Sequence, residues 1–280
     1  MDDALITSAA NASMNSLRQA MNLAFADYSI PMQLSAEQFQ RMMNQRGFDP
    51  QASFIGKVDG NIAGFWLMSV RDRQAYLISS GTTPRFRSRG LSTKIANKVL
   101  QHLRTRQIST FQTEVLEGNL VAQGLYRRAG MTKNRDLGCC RIDQPAIGKA
   151  SFADIKRCQW LDVADHALQM RDWSPTWQNS DISIMALSKS VTCFEARAGG
   201  RPAGYLALMP STETVLQIAV HRNFRRQGIG TALLTAATAL VEKAPLRLIN
   251  YDATDDGFAA FLAAQDSQRT EGQFELLLNL

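Results

Sequence analysis

Apolar residues in this chain follow two alternating periods, one suited to helices and one to strands. Leu91, Ile95, Val99 and Leu103 recur every four residues, and Ile229, Leu233, Leu234, Ala237 and Leu240 share one helical face, so each set predicts an amphipathic helix. A strand-like run precedes each helix, at 75–79 and at 214–220. Upstream, strands 54–58 and 62–70 meet at Asp59-Gly60-Asn61, a hairpin signal, and 191–198 and 203–209 meet at Gly199-Gly200. Each central helix is followed by a strand (110–116; 246–251), a short helix (119–129; 256–264) and a closing strand (139–142; 273–278). Helices at 14–26 and 35–45 flank a loop at 27–34.

Each half therefore reads β-α-α-β-β-β-α-β-α-β. The expected fold class is α+β (mixed α/β), two similar domains, each a mixed, mostly antiparallel twisted sheet flanked by helices. A length of 280 residues fits two cores. The expected boundaries are 1–143 and 151–280, joined by a linker at 144–150 containing Pro145 and Gly148.

The halves repeat in detail. Thr82-Thr83-Pro84-Arg85-Phe86-Arg87-Ser88-Arg89-Gly90-Leu91-Ser92-Thr93 lies above Val220-His221-Arg222-Asn223-Phe224-Arg225-Arg226-Gln227-Gly228-Ile229-Gly230-Thr231 at a constant offset, with Phe, Arg, Gly and Thr in register. A strand entering such a glycine turn and then a helix presents unpaired backbone N–H groups and the positive end of a helix dipole, which suit a pyrophosphate. Arg85, Arg87, Arg89, Arg222, Arg225 and Arg226 add donors for phosphate oxygens. A single copy could be a tight turn with solvated arginines; two copies in matching contexts argue for a ligand. A nucleoside-triphosphate loop would need Gly-Lys-Ser/Thr, and a dinucleotide fingerprint another glycine with a later acidic residue.

Composition narrows the rest. Residues 1–143 carry a net charge of +7 and 144–280 a net of −1, so a polyanion would meet the first half. No basic run interleaves with stacking aromatics, so nucleic acid is not an expected partner. No apolar run approaches a membrane span, and the N-terminus lacks a secretory pattern. Cys139, Cys140, Cys158 and Cys193 show no Cys-x-x-Cys spacing; reduced thiols, no metal and a cytoplasmic location are expected.

The glycine turns resemble the R/Q-x-x-G-x-G/A signature of the GNAT superfamily of N-acetyltransferases. The resemblance covers nearly the whole chain as a tandem. Arg225–Gly230 matches fully, whereas Ser92 replaces Gly/Ala at the last position of the first copy. It implies acetyl-CoA as co-substrate. The pyrophosphate would meet Arg87, Ser88, Arg89, Gly90, Leu91, Ser92 and Thr93, and in the second copy Arg225, Arg226, Gln227, Gly228, Gly230 and Thr231. Gly81, Thr82, Thr83 and Val220 would meet the pantetheine arm.

Acetyl transfer to an amine requires removing a proton from the ammonium and protonating the departing thiolate. Glu114, Asn119 and Tyr126 lie in a segment similar to the E-V-x-x-x-N-x-x-A-x-x-L-Y pattern of GNAT enzymes that acetylate ribosomal proteins. That resemblance implies Tyr126 as the acid, Glu114 as the base and Asn119 at the CoA arm, with Glu117 or a water chain as the alternative base. In the second half Asp252 and Ala263 align with Glu114 and Tyr126, so the acid is missing and catalysis is expected in residues 1–143. Tyr28, Pro31 and Gln33 of the 27–34 loop, with Trp66 and Tyr76, are expected to line the acceptor pocket, the acceptor being a small-molecule or peptide amine. A monomer or homodimer is expected. The competing readings are catalysis in the second half, which has the better glycine turn, and an acyl-CoA sensor without turnover.

Overall fold

Turn chemistry sets the strand pairs. Strands β2 (Phe48–Val58) and β3 (Asn61–Arg71) are joined at Asp59 and Gly60, whose φ values of 51° and 78° give the left-handed pair that a tight hairpin needs. Gly199 and Gly200, at 56° and 77°, do the same between β8 (Thr192–Ala198) and β9 (Arg201–Met209). The computed structural model describes residues 4–28, 32–146, 151–241 and 245–280.

The remaining elements of the first half are β1 (Leu5–Ser8), α1 (Met14–Ala24), α2 (Ala36–Arg46), β4 (Gln74–Thr82), α3 (Leu91–Thr105), β5 (Thr110–Leu116), α4 (Leu120–Arg128) and β6 (Thr132–Ile142). Those of the second are β7 (Asp154–Cys158), α5 (Trp160–Met170), α6 (Asp181–Ala186), β10 (Thr214–Val220), α7 (Ile229–Thr238), β11 (Leu246–Asp252), α8 (Asp256–Ala263), β12 (Gln268–Arg269) and β13 (Gln273–Asn279). Helix limits follow local rules. A Ser35–Gln38 capping box starts α2 and left-handed Gly47 ends it; Asn119 and Asp255 accept backbone N–H bonds at the starts of α4 and α8.

Two compact units form, and their limits depart from the expected boundaries. One unit contains residues 1–115, 119–134 and 275–280; the other contains 116–118 and 135–274. In unit 1 the strands run β1-β2-β3-β4-β5-β13, and in unit 2 β6-β11-β10-β9-β8-β7. The closing strand of each unit thus comes from the other half of the sequence. Strand β6 pairs with β11 from Leu246↔Ile142 to Asp252↔Leu137. A closing strand's alternation fixes which face is buried but not which neighbour it joins, so the exchange leaves no local signature. The expected linker lies partly outside the described residues.

In each unit a β-bulge splits the sheet at its parallel pair. Leu67 pairs with Ser79 and Met68 with Leu77, leaving Ile78 extra on β4. Val215 pairs with Leu208 and Gln217 with Ala207, leaving Leu216 extra on β10. Strands β4 and β5 share register only at Gln74–Tyr76, and β10 and β11 only at Thr214 and Val215, among the described residues. Past each bulge no further parallel register forms among the described residues, so one edge of β4 and of β10 lacks a strand partner there. Helices α3 and α7 pack behind these strands. A Cβ on Gly56 or Gly64 would strike Leu91 and Ile95, and one on Gly204 would meet Ile229 and Leu233.

Candidate functional site

The two glycine turns have the same backbone. Ser88 and Gly90 have φ of 60° and 73°, and Arg226 and Gly228 have 62° and 78°. Gly90 and Gly228 are the N-caps of α3 and α7, and neither helix start receives a side-chain cap. The first-turn N–H groups are therefore available to an anion. Arg89, Arg226 and Gln227 are exposed beside them.

Arg87 and Arg225 do not stand ready for phosphate as expected. Arg87 forms a fork to both oxygens of Asp27 at 2.6 and 2.7 Å, and donates to the carbonyls of Ala24 (2.8 Å) and Thr82 (3.2 Å). Arg225 repeats the arrangement with Asp172 (2.8 Å), Met170 O and Val220 O (2.9 Å). Each arginine straps its glycine turn to the end of the unit's first helix. The bond to Arg87 holds the Asp27 carboxyl below its usual value. Two further expected contacts are engaged inside the fold. Thr83 is buried, donating its N–H to Ala63 O at 2.9 Å, and the Leu91 side chain lies in the core. Thr93 is exposed, and the Thr231 hydroxyl accepts from Gln265 at 3.0 Å.

On the opened edge of β4, Ser80 and Tyr126 share a hydroxyl–hydroxyl hydrogen bond of 2.9 Å. Tyr126 comes from α4, is 6% exposed, and meets the Trp66 ring edge-on at 5.8 Å. Burial pushes its hydroxyl up to about 12, so it keeps its proton at neutral pH. Deeper, the Tyr76 hydroxyl donates to the Glu114 carboxylate, joining β4 to β5. Burial, then the Glu114 charge, raises Tyr76 well above the usual phenol range. The Asn119 Oδ1 caps α4 by accepting from Ala122 N–H at 3.1 Å, and its amide donates to the Tyr28 hydroxyl. Asp27 and Tyr28 thus tie the loop after α1 to the glycine turn and to α4.

The expected acceptor residues separate. Trp66 is fully buried and donates its indole N–H to Ser92 at 2.9 Å, so it belongs to the core. The departure of Ser92 from the glycine consensus supplies the acceptor that this indole needs. Tyr76 is buried on Glu114 and does not line an open pocket. Gln33 donates to Asn22 O at 2.9 Å, bracing the loop, and Pro31 lies outside the described residues. Gly81 faces Phe65, whose ring would lie 2.6 Å from a Cβ. Glu117, the alternative base, is in unit 2 and pairs with Arg269 at 3.4 Å. Sequence reasoning did not find the Ser80 hydroxyl as the partner of Tyr126, nor Asp27 and Asp172 as the partners of the two arginines, and the constant offset of the glycine turns does not pair those aspartates.

A sequence model of the Acetyltransferase (GNAT) family matches residues 16–131 and again 157–260. This chain belongs to the GNAT acetyltransferase family. It carries two GNAT domains, as expected from its repeat. The mycothiol acetyltransferase of Thermobispora bispora is 28% identical over 119 residues, 39% of this chain; the match spans about two-fifths (40%) of that protein's length. Among solved structures, a GCN5-related N-acetyltransferase from Sphaerobacter thermophilus has a TM-score of 0.75 at 15% identity, covering 100% of this chain and 96% of the other. A tandem GNAT protein from the clavulanic acid biosynthesis pathway, solved without AcCoA, has 0.73 at 14%, covering 99% and 98%. At these identities the likeness is one of fold. No helix among the described residues is long and apolar enough to cross a membrane.

The second GNAT domain differs where the first is polar. Tyr76 pairs with Gln112, and its repeat partner Thr214 pairs with Arg247. Counting on from Gln112 and Arg247 sets Ile249, not Asp252, opposite Glu114. The matching N-caps Asn119 and Asp255 set Leu262, not Ala263, opposite Tyr126. Ile218 stands where Ser80 does. Asp252 instead faces Arg135 at 3.9 Å and accepts from Thr254. A cavity of about 720 Å³ runs through this unit from Arg226, Gly228 and Gly230, along the opened edge of β10, to Val215 and Leu248.

Proposed function

We propose that this GNAT enzyme transfers the acetyl group of acetyl-CoA to a primary amine, of a small molecule or a peptide, and that unit 1 carries the reaction. The observation that carries this reading is the Ser80–Tyr126 pair on the unpaired edge of β4. The N–H groups at the start of α3, with Ser88, Arg89 and Gly90, suit the pyrophosphate. The opened edge of β4, from Ser80 to Thr82, offers backbone partners to the pantetheine amides. Arg87 serves by holding the turn in shape.

In this reading the amine nitrogen attacks the thioester carbonyl carbon, the C–S bond breaks, the thiolate takes its proton from Tyr126, and the tyrosinate so formed is reprotonated by the second proton that the acylated nitrogen gives up. Tyr126 is protonated throughout the neutral range, as an acid must be. Glu114 takes the proton that the ammonium loses, and the Tyr76 hydroxyl, donating to that carboxylate, keeps it oriented. Loss of Ser80, Tyr126 and Glu114 equivalents in unit 2 supports assigning the chemistry to unit 1.

The test is thiol release from acetyl-CoA over a panel of small amines and peptides with free α-amines. A Tyr126→Phe enzyme is expected to lose about 100-fold or more in kcat with KM for acetyl-CoA little changed. An unaltered kcat, or no thiol release with any amine, contradicts the proposal.

A further inference from the structure

The equivalent places in the two units differ in a consistent direction. In unit 1 the divergence of β4 and β5 is crossed by the Tyr76–Glu114 bond, and Tyr126 reaches Ser80 above it. Those four positions in unit 2 hold Thr214, Ile249, Leu262 and Ile218. The hydroxyl of Thr214 turns back to Thr212 O at 3.0 Å, so it does not cross to β11. The cavity of unit 2 therefore continues to Val215 and Leu248, where the strands rejoin. Trp173, Phe258 and Phe261 form an aromatic wall, with Trp173 and Phe258 edge-on at 5.0 Å.

Arg171, Tyr205, Gln217 and Asn179, which line the cavity, are engaged with one another, whereas the buried Asn250 Nδ2 beside Ile249 has no partner among the described residues. Arg171 donates to Tyr205 (2.8 Å) and to Asp181 (2.6 Å), Tyr205 donates to Gln217 (2.8 Å), and Gln217 donates to Asn179 O (2.6 Å). At the mouth, the uncapped start of α7 repeats the backbone of the unit 1 turn, and Arg226, at the position of Ser88, is exposed beside it. An anion site at one end of a channel with an apolar far end matches a thioester whose acyl chain is longer than acetyl.

We infer that unit 2 binds a CoA thioester bearing a medium-length apolar acyl chain and holds it without transferring it. This rests on the reading that the glycine turns take CoA. The phosphates sit at Arg226 and Gly228, the chain runs beside Ile218 and Ile249 toward Val215 and Leu248, and Leu262 stands where unit 1 has Tyr126. In unit 1 the Tyr76–Glu114 bridge limits the chain to a short acyl group.

The full-length protein, without acceptor, would be titrated with CoA and with acetyl-, butyryl-, hexanoyl- and octanoyl-CoA by calorimetry and by emission of Trp173, with Trp173→Phe as the optical control. The expected result is one site tightening about fourfold per methylene up to octanoyl. That gain is lost in Arg226→Glu and in Ile249→Trp, which fills the channel, and is kept in Arg89→Glu. Equal affinity for CoA and octanoyl-CoA at the site sensitive to Arg226→Glu overturns the inference but leaves CoA at the turns. So does a chain-length gain that only Arg89→Glu removes. Failure of every CoA species to bind either site overturns it together with the reading beneath it. Octanoyl transfer to an amine that survives Tyr126→Phe and is lost in Arg226→Glu rules out a holding role.

Discussion

Arg87 and Arg225 have the residue type expected of phosphate ligands, yet their geometry makes them straps between a turn and the end of a helix. The sequence reveals that an arginine recurs; it does not reveal that Asp27 and Asp172 recur with it, because Asp27 lies 60 residues before Arg87 and Asp172 only 53 before Arg225, so the offset of the glycine turns does not pair them. Tyr126 was legible because its spacing from Glu114 and Asn119 is set within one strand–helix unit. Its partner Ser80 was not, since their contact depends on the divergence after the bulge. Tyr126 also sets a pH limit. Its hydroxyl is raised from about 10 in an unfolded chain to about 12 when folded, so the unfolded chain releases this proton first. Its stabilising contribution is complete below pH 10 and is lost as pH rises toward 12. Accordingly kcat should show no fall with a midpoint near pH 10, and Tyr126→Phe should lessen the decline in Tm between pH 10 and 12. A kcat limb centred near 10 contradicts the buried acid.

At the scale of elements, hairpins, amphipathic helices and glycine turns were legible because each is encoded within a dozen residues. The hairpins at Asp59-Gly60 and Gly199-Gly200 form as their dipeptides predict. The bulges at Ile78 and Leu216 were not legible: an extra residue in a continuous apolar run alters no period that a strand reading can detect. They nevertheless open the strands and expose the edge on which the site is built. Gly90 gives a test of the turn. Its φ is 73°, and a Cβ there would meet nothing within 4 Å, so any penalty of Gly90→Ala is one of backbone conformation. Urea unfolding should show a loss of about 1 kcal/mol, with weaker binding of acetyl-CoA. A variant with unchanged stability and affinity would mean that the left-handed N-cap is not required.

For the whole molecule, two GNAT domains were legible from the repeat, but the membership of each was not. Strand β13 joins unit 1 and β6 joins unit 2, and the apolar alternation of each would serve either place. Unit 1 therefore depends on residues at the far end of the chain. Leu276 is buried there, and Asn134 donates to Glu275 at 2.6 Å. Deleting 275–280 should lower the Tm of the transition that accompanies loss of Tyr126-dependent activity and should leave an unprotected edge on β5. A truncated protein with wild-type activity and unfolding would contradict this composition of unit 1.

The most direct test of the account is a crystal structure of the full chain soaked with acetyl-CoA. The account predicts pyrophosphate on the start of α3, at Ser88, Arg89 and Gly90, with the thioester sulfur within hydrogen-bond reach of the Tyr126 hydroxyl. Acetyl-CoA absent from that turn, or bound there with its sulfur remote from Tyr126, would contradict it.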